Sequence, residues 1–351
     1  MSLAEGLCRS RRGALSPRKH TRRPGRGTHT CRPRPGSRRH AGGLPLREGG
    51  GRAHLRERLT CAPSVARSRY YAVGAKPQAD GIPGPARRGR PNVVTGHVAG
   101  HVIPYEVQGS GPERVLALHH WLSDRSGFGD LRQCLDGSVF SYAFIDCRGY
   151  GEAMGIPGTY TMEEVAADAL AVADDLGWNT FSVIGHSMGG KAAQLMLLDA
   201  PSRVRSIVGI SPVPASGFPL EGEMWDLFVG AVEDSGNRRT IFDVTTGSRH
   251  DDAWLDARVS GSERSSPTAL RSYLESWTRG SDIHERVEGN PTPVLVVAGA
   301  NDPAMGPDTM RSTWLQWYPN AELEVFNDAG HFAPDESPEA LATVVERFLA
   351  R

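Results

Sequence analysis

Residues 183–190 read VIGHSMGG, in which Gly185, Ser187 and Gly189 fit the pattern G-x-S-x-G. That pattern can hold a serine on a sharp turn between strand and helix, its hydroxyl free to attack a carbonyl. A serine hydroxyl is a weak nucleophile and needs a base, and the base needs a group that orients it. Both stand downstream. GAND leaves Asp302 just past one apolar run, and DAGHF leaves His331 just past the next. Ser187, Asp302 and His331 supply the groups needed for a histidine to take the serine proton while an aspartate steadies the imidazole. In a chain with 41 glycines the pentapeptide alone carries little weight. Joined to an aspartate and a histidine at two later strand ends, the signal is strong.

For these residues to meet, their strands must run parallel and end at one edge of a sheet. Short apolar runs bounded by turn residues recur at VLALHHW (115–121), YAFIDCRG (142–149), FSVIGHS (181–187), VRSIVGIS (204–211), PVLVVAGAND (293–302) and LEVFNDAGH (323–331). Such continuous Val/Ile/Leu runs suit strands buried on both faces. Ahead of them, 93–100 and 101–109 read as an antiparallel pair. In 160–178, Thr161 and Glu164 make a capping box, Met162, Val165, Ala169, Val172 and Leu176 form one apolar stripe, and Gly177 supplies the stop. The last helix starts at Ser337 with Pro338 in its first turn, turning Leu341, Val344, Val345, Phe348 and Leu349 inward. The alternation predicts an α/β domain with a mostly parallel, doubly wound sheet. Residues 214–290 break it with several amphipathic pieces and no buried strand, which predicts a helical insertion above the sheet.

This domain is expected to span 91–351. Residues 1–90 differ in kind, with 22 Lys and Arg against four acids; the remainder has 18 against 36. The neutral total therefore hides segments of +18 and −18. The first segment is dense in Arg, Pro and Gly and has no periodicity. It buries too little apolar surface to offset the entropy of ordering, so disorder is expected. A mis-assigned start is the favoured origin of this text, ahead of a basic arm for nucleic acid or a transit peptide. The acidic domain is expected to bind no nucleic acid. No apolar stretch of about 18 residues suggests a membrane span, and no apolar region precedes the first arginines as a secretory signal would require. Only Cys134 and Cys147 fall in the domain, without C-x-x-C or zinc spacing. The expectation is a cytoplasmic protein without metal or cofactor, its oligomeric state open.

With these residues in view, the sequence resembles the α/β-hydrolase superfamily over essentially all of 93–351. GHSMGG matches the family's nucleophile elbow, DCRGYG (146–151) resembles its D-x-R-G-x-G loop, and LHHW (118–121) stands where its H-G-x oxyanion loop would be. The resemblance implies the α/β-hydrolase fold with a helical cap at about 214–290. It also implies Ser187 as nucleophile, His331 as base, Asp302 as its partner, and an oxyanion hole from the backbone N–H groups of Met188 and Trp121. One departure is His120, which stands where the family usually has glycine, so the oxyanion loop is expected to be shaped differently.

The expected reaction is cleavage of an ester, lactone or related bond of a small, fairly apolar molecule through an acyl-enzyme. A serine rather than an aspartate at position 187 disfavours epoxide hydrolysis and haloalkane dehalogenation. It leaves carbon–carbon bond hydrolysis and cofactor-free perhydrolysis as alternatives, and a non-turnover ligand-binding protein as a rival of another class. His120, Trp225, Phe228, Trp254, Trp277 and Phe332 are the expected pocket; Tyr273 is weighed with them as pocket or packing. His119, Asp146 and Arg148 are read as structural.

Overall fold

The computed structural model describes residues 103–351 and, before them, the backbone of two short strands. Among the described residues nine strands form one sheet: β1 (Ser68–Tyr71), β2 (Val93–Gly96), β3 (Tyr105–Gly109), β4 (Glu113–Leu118), β5 (Phe140–Ile145), β6 (Phe181–His186), β7 (Val204–Ile210), β8 (Val294–Gly299) and β9 (Ala321–Phe326). Their order is β1-β9-β8-β7-β6-β4-β5-β3-β2. The β2–β3 and β3–β5 pairs are antiparallel and all others parallel. The parallel strands β4 to β9 therefore end at one edge, the edge that gathers ligands in open α/β sheets.

Alternation along each strand divides the core in two. Leu116, Leu118 and Val183 face one layer, together with the helices α1 (Met162–Asp175) and α2 (Met188–Asp199). Val115, Ala117 and Ile184 face the other, closed by the C-terminal helix 338–349 through Leu341, Val345 and Phe348. Both faces of the sheet are thus covered, as the continuous apolar runs require. At the start of α1 the Thr161 hydroxyl accepts from the Glu164 N–H at 3.2 Å. The Glu164 carboxylate does not return to residue 161 as a capping box would have it. It accepts from Thr159 and Tyr160 N–H at 3.1 and 2.7 Å, bracing the turn before the cap.

Between β7 and β8 stand four longer helices: α3 (Gly222–Gly230), α4 (Ser235–Thr245), α5 (Asp252–Ser262) and α6 (Pro267–Arg279). Helix α4 is capped by the Asp234 carboxylate, which accepts from Gly236 N–H at 2.7 Å. The C-terminal helix, α7 (Pro338–Leu349), completes the chain.

Of the 1–90 segment expected to be disordered, Ser68–Tyr71 falls among the described residues, as the short strand β1. It pairs in parallel with β9, Ser68 opposite Leu323 and Tyr71 opposite Phe326. The rest of 1–90, with Cys8, Cys31 and Cys61, lies outside the described residues.

Candidate active site

Ser187 follows β6 directly and caps α2 with φ 55° and ψ −116°, a conformation costly for a residue with a side chain. Three backbone bonds hold it there. Its N–H donates to Ile210 O at 3.0 Å, and its carbonyl accepts from Gly190 and Val213 N–H, each at 2.9 Å. The glycines are steric necessities: a Cβ on Gly185 would lie 2.4 Å from Gly189 O, and one on Gly189 would lie 2.4 Å from Leu118 O. The tight turn leaves the serine partly exposed beyond the sheet edge.

Asp302 and His331 come from the turns after β8 and β9. One carboxylate oxygen of Asp302 accepts from the N–H groups of Ala304 and Met305 at 2.9 and 3.0 Å, capping the turn. The other meets Nδ1 of His331 at 2.6 Å. Turn cap and imidazole partner are thus one residue, and Asp328, the nearer acid in sequence, is exposed. With Nδ1–H committed to the carboxylate, Nε2 of His331 is the nitrogen left for chemistry. Ser187 and His331 line one cleft. Among the described residues the Ser187 hydroxyl makes no hydrogen bond, and neither do the N–H groups of Trp121 and Met188. Such contacts are often long without substrate and tighten in the complex.

The loop bearing His331 is fastened from several sides. His331 N–H donates to Thr245 O at 3.0 Å, at the end of α4. The buried Glu336 carboxylate accepts from Gly330 and Phe332 N–H at 2.9 and 3.0 Å, and pairs with Arg249 and His250 between α4 and α5. Asn301 Nδ2 donates to Asn327 O at 2.8 Å. The braces from Thr245, Arg249, His250 and Asn301 were not legible in sequence, because each joins residues distant along the chain.

Three other histidines crowd this end of the sheet. His119 is structural: its Nδ1–H donates to His120 O at 2.8 Å and its Nε2 accepts from Cys147 N–H at 3.1 Å. His186 donates from Nε2 to His331 O at 2.9 Å. His120 packs edge-on against His186 and Phe332, with centroids 4.9 and 5.1 Å away. Burial pushes the pKa of all three down, that of His186 to about 3 and that of His120 well below the ordinary value. All are neutral near pH 7, so none opposes a positive charge arising on His331. Asp146 braces the 125–152 loops through Arg125 and Glu152 N–H, and Arg148 pairs with Asp168 at 2.7 Å.

The cleft encloses about 570 Å³ counting the open solvent at its mouth. Of the expected lining, His120, Phe228, Trp277 and Phe332 face it, joined by Trp121. The other two do not. Trp225 is capped by the Arg279 guanidinium 3.5 Å from its ring centre, and Trp254 stacks on His250 at 4.0 Å behind Phe332. A flat ring beside a long cationic chain finds a partner away from the cleft. Tyr273 is packing, stacked on Tyr150 at 5.5 Å. Leu122, Phe218, Leu220, Ile241, Thr245, Ala304 and Met305 complete the wall. They went unread because a lone apolar residue in a loop or cap helix does not declare which way it faces.

A second, polar cavity adjoins the first through His120 and Leu122, with Ser123, Ser126, Arg258, Ser260 and Arg264 on its walls. Arg258 pairs with the buried Asp335 at 2.8 Å, and Arg264 pairs with Asp124 at 2.7 and 3.0 Å. Among the described residues no helix is long and apolar enough to cross a membrane.

Residues 115–338 match the family model described as the alpha/beta hydrolase fold. The chain is similar to the 2-hydroxy-6-oxononadienedioate/2-hydroxy-6-oxononatrienedioate hydrolase of Burkholderia vietnamiensis, 26% identical over 267 residues, covering 71% of this chain and 91% of that protein. It is 29% identical over 212 residues to the 2-hydroxymuconate semialdehyde hydrolase of Pseudomonas putida, covering 58% and 73%. In structure it resembles the esterase EaEST of Exiguobacterium antarcticum with a TM-score of 0.63 at 19% identity, over 71% of this chain and 96% of that one.

Proposed function

Since the chain belongs to the α/β-hydrolase family, we propose that it is a serine hydrolase that cleaves an ester or lactone of a small, neutral molecule through an acyl-enzyme on Ser187. The observation that carries this reading is the 2.6 Å pair of His331 and Asp302, opening with Ser187 into one largely apolar cleft. Nε2 of His331 takes the hydroxyl proton as Ser187 attacks the carbonyl carbon, and Asp302 steadies the imidazolium. The N–H groups of Met188 and Trp121 receive the oxyanion. As the tetrahedral adduct collapses, Nε2 returns its proton to the leaving oxygen. Water, deprotonated by the same nitrogen, then releases the acid.

A second reading, carbon–carbon bond hydrolysis, is favoured by the names of the curated relatives. A dioate substrate brings carboxylates that need unpaired cations. On the wall of the polar cavity Arg258 and Arg264 already pair with Asp335 and Asp124, with Arg258 Nε left as a donor without a partner, which supports the neutral ester over a dianion. The test is turnover of p-nitrophenyl butyrate and a butyrolactone, with labelling by an alkyl fluorophosphonate, in the wild type and in Ser187→Ala. Turnover and label that both vanish in the variant are expected. An unlabelled wild type that leaves both substrates intact would overturn the reading.

A further inference from the structure

Two cavities of different character meet at His120. On one side is the cleft, walled by Phe218, Leu220, Phe228 and Trp277. On the other is the polar cavity, about 670 Å³ counting its mouth, with the hydroxyls of Ser123, Ser126 and Ser260. His120 lines both. Unlike its neighbours His119 and His186, it has no hydrogen-bond partner on either ring nitrogen among the described residues. Edge-on packing against His186 and Phe332 fixes its ring plane. Room for its Nε2 depends on Gly127, where a Cβ would lie 2.8 Å from that nitrogen and 2.7 Å from Ser123 Oγ. A neutral imidazole offers one donor and one acceptor. Burial and the nearby His186 keep this one neutral.

We infer that His120 is a specificity-determining residue whose ring nitrogens bind a hydroxylated, uncharged leaving group seated in the polar cavity, while the apolar acyl group fills the cleft. This deepens the ester hydrolase reading and rests on it. Arg258 and Arg264 line the cavity, each balanced by a carboxylate that does not itself line it, Asp335 and Asp124, so the wall offers hydroxyls and N–H donors, the unpartnered Arg258 Nε among them, with little net charge. A glycerol or sugar alcohol suits that lining; an alkyl alcohol would leave it unsatisfied, and a carboxylated one would have to compete with Asp335 and Asp124 for cations already paired.

The test compares three butyrate esters by proton-release titration: those of ethanol, of glycerol and of glycolate. The wild type is expected to favour the glycerol over the ethyl ester in kcat/KM by about tenfold, the factor one or two neutral hydrogen bonds supply. His120→Phe keeps the ring packing and removes both nitrogens, and should bring the ratio near one, while His120→Gln, with a donor and an acceptor, should retain part of it. Gly261, on the cavity wall, has open space where a Cβ would go, so Gly261→Leu should fill the cavity and lower the same ratio. Each ratio is measured within one preparation, so any loss of folded protein cancels. A wild type that prefers the ethyl ester, a ratio unmoved in His120→Phe, or a preference for the glycolate ester would overturn the inference and leave ester hydrolysis standing. Failure to turn over all three esters would overturn both.

Discussion

His186 Nε2 donates to the carbonyl oxygen of His331 across 2.9 Å, so the residue before Ser187 holds the backbone of the histidine that shares its cleft. His186 is fully enclosed and its Nδ1 has no partner. Burial, and then the neighbouring His331, push its pKa down to about 3. In the unfolded chain a histidine binds its proton near pH 6.5. Between these values the unfolded state holds the extra proton, so stability rises with pH. The contribution is complete above about pH 6.5 and drains away as pH falls toward 3. At pH 5 the loss from this residue alone is about 2 kcal/mol. His119 and His120 shift in the same direction. Urea unfolding at pH 7 and pH 5 should therefore show a smaller acid loss in His186→Gln, which retains a donor for the carbonyl, than in the wild type. Identical losses would mean that His186 is already protonated in the fold.

Asp302→Asn separates the two duties of that carboxylate. The amide oxygen can still cap Ala304 and Met305, but it cannot at once stabilise a charged His331. On the serine hydrolase reading, kcat should fall about 10³- to 10⁴-fold, with the melting temperature moving by only about a few degrees. Near-normal kcat would show that His331 works without its carboxylate.

Gly185→Ala sets a new methyl 2.4 Å from Gly189 O, backbone that cannot yield without moving the Ser187 turn. A loss of about 1–3 kcal/mol is expected, with activity falling further than stability accounts for. Gly155 is the control: nothing lies within 4 Å of a Cβ there, and Gly155→Ala should stay within about 0.5 kcal/mol of the wild type. Equal effects at the two sites would remove the steric account of the elbow.

The elbow and the turns after β8 and β9 were legible because local rules govern them: a strand must end, a turn must be tight, and both need particular residues within five positions. The same holds for the Thr161 cap and the apolar stripe of α1. Arg238 was not legible. Its type suggests a solvated surface, yet it is buried and donates to Ala231 and Val232 carbonyls at 2.6 and 2.7 Å and to Ser262 O at 3.2 Å, tying α3 and α5 to α4. Trp225 and Trp254 were misplaced for the opposite reason. Their apolar bulk suggested a cleft, but neighbouring arginines and a histidine claimed their faces. Which partner a large side chain finds is decided by helix packing, which the cap's short patterns do not specify. His120 stood out as a missing glycine and as an expected pocket residue; its place between two cavities emerged from the fold.

Trp121 joins the loop after β4 to the helices between β7 and β8. Its indole N–H donates to Leu270 O in α6 at 2.8 Å, and its ring stacks on Phe228 of α3 at 5.5 Å and meets Trp277 edge-on at 6.2 Å. If its backbone N–H receives the oxyanion, the cap sets the position of that donor. Trp121→Phe keeps the backbone group and much of the apolar area while deleting one buried hydrogen bond, worth about 1 kcal/mol. Because the amide would be less firmly aimed, kcat should fall several-fold with KM little changed, an interaction felt more in the transition state than in the bound substrate. A lower melting temperature with kcat intact would mean that the indole only holds the cap, and that the oxyanion loop keeps its shape unaided.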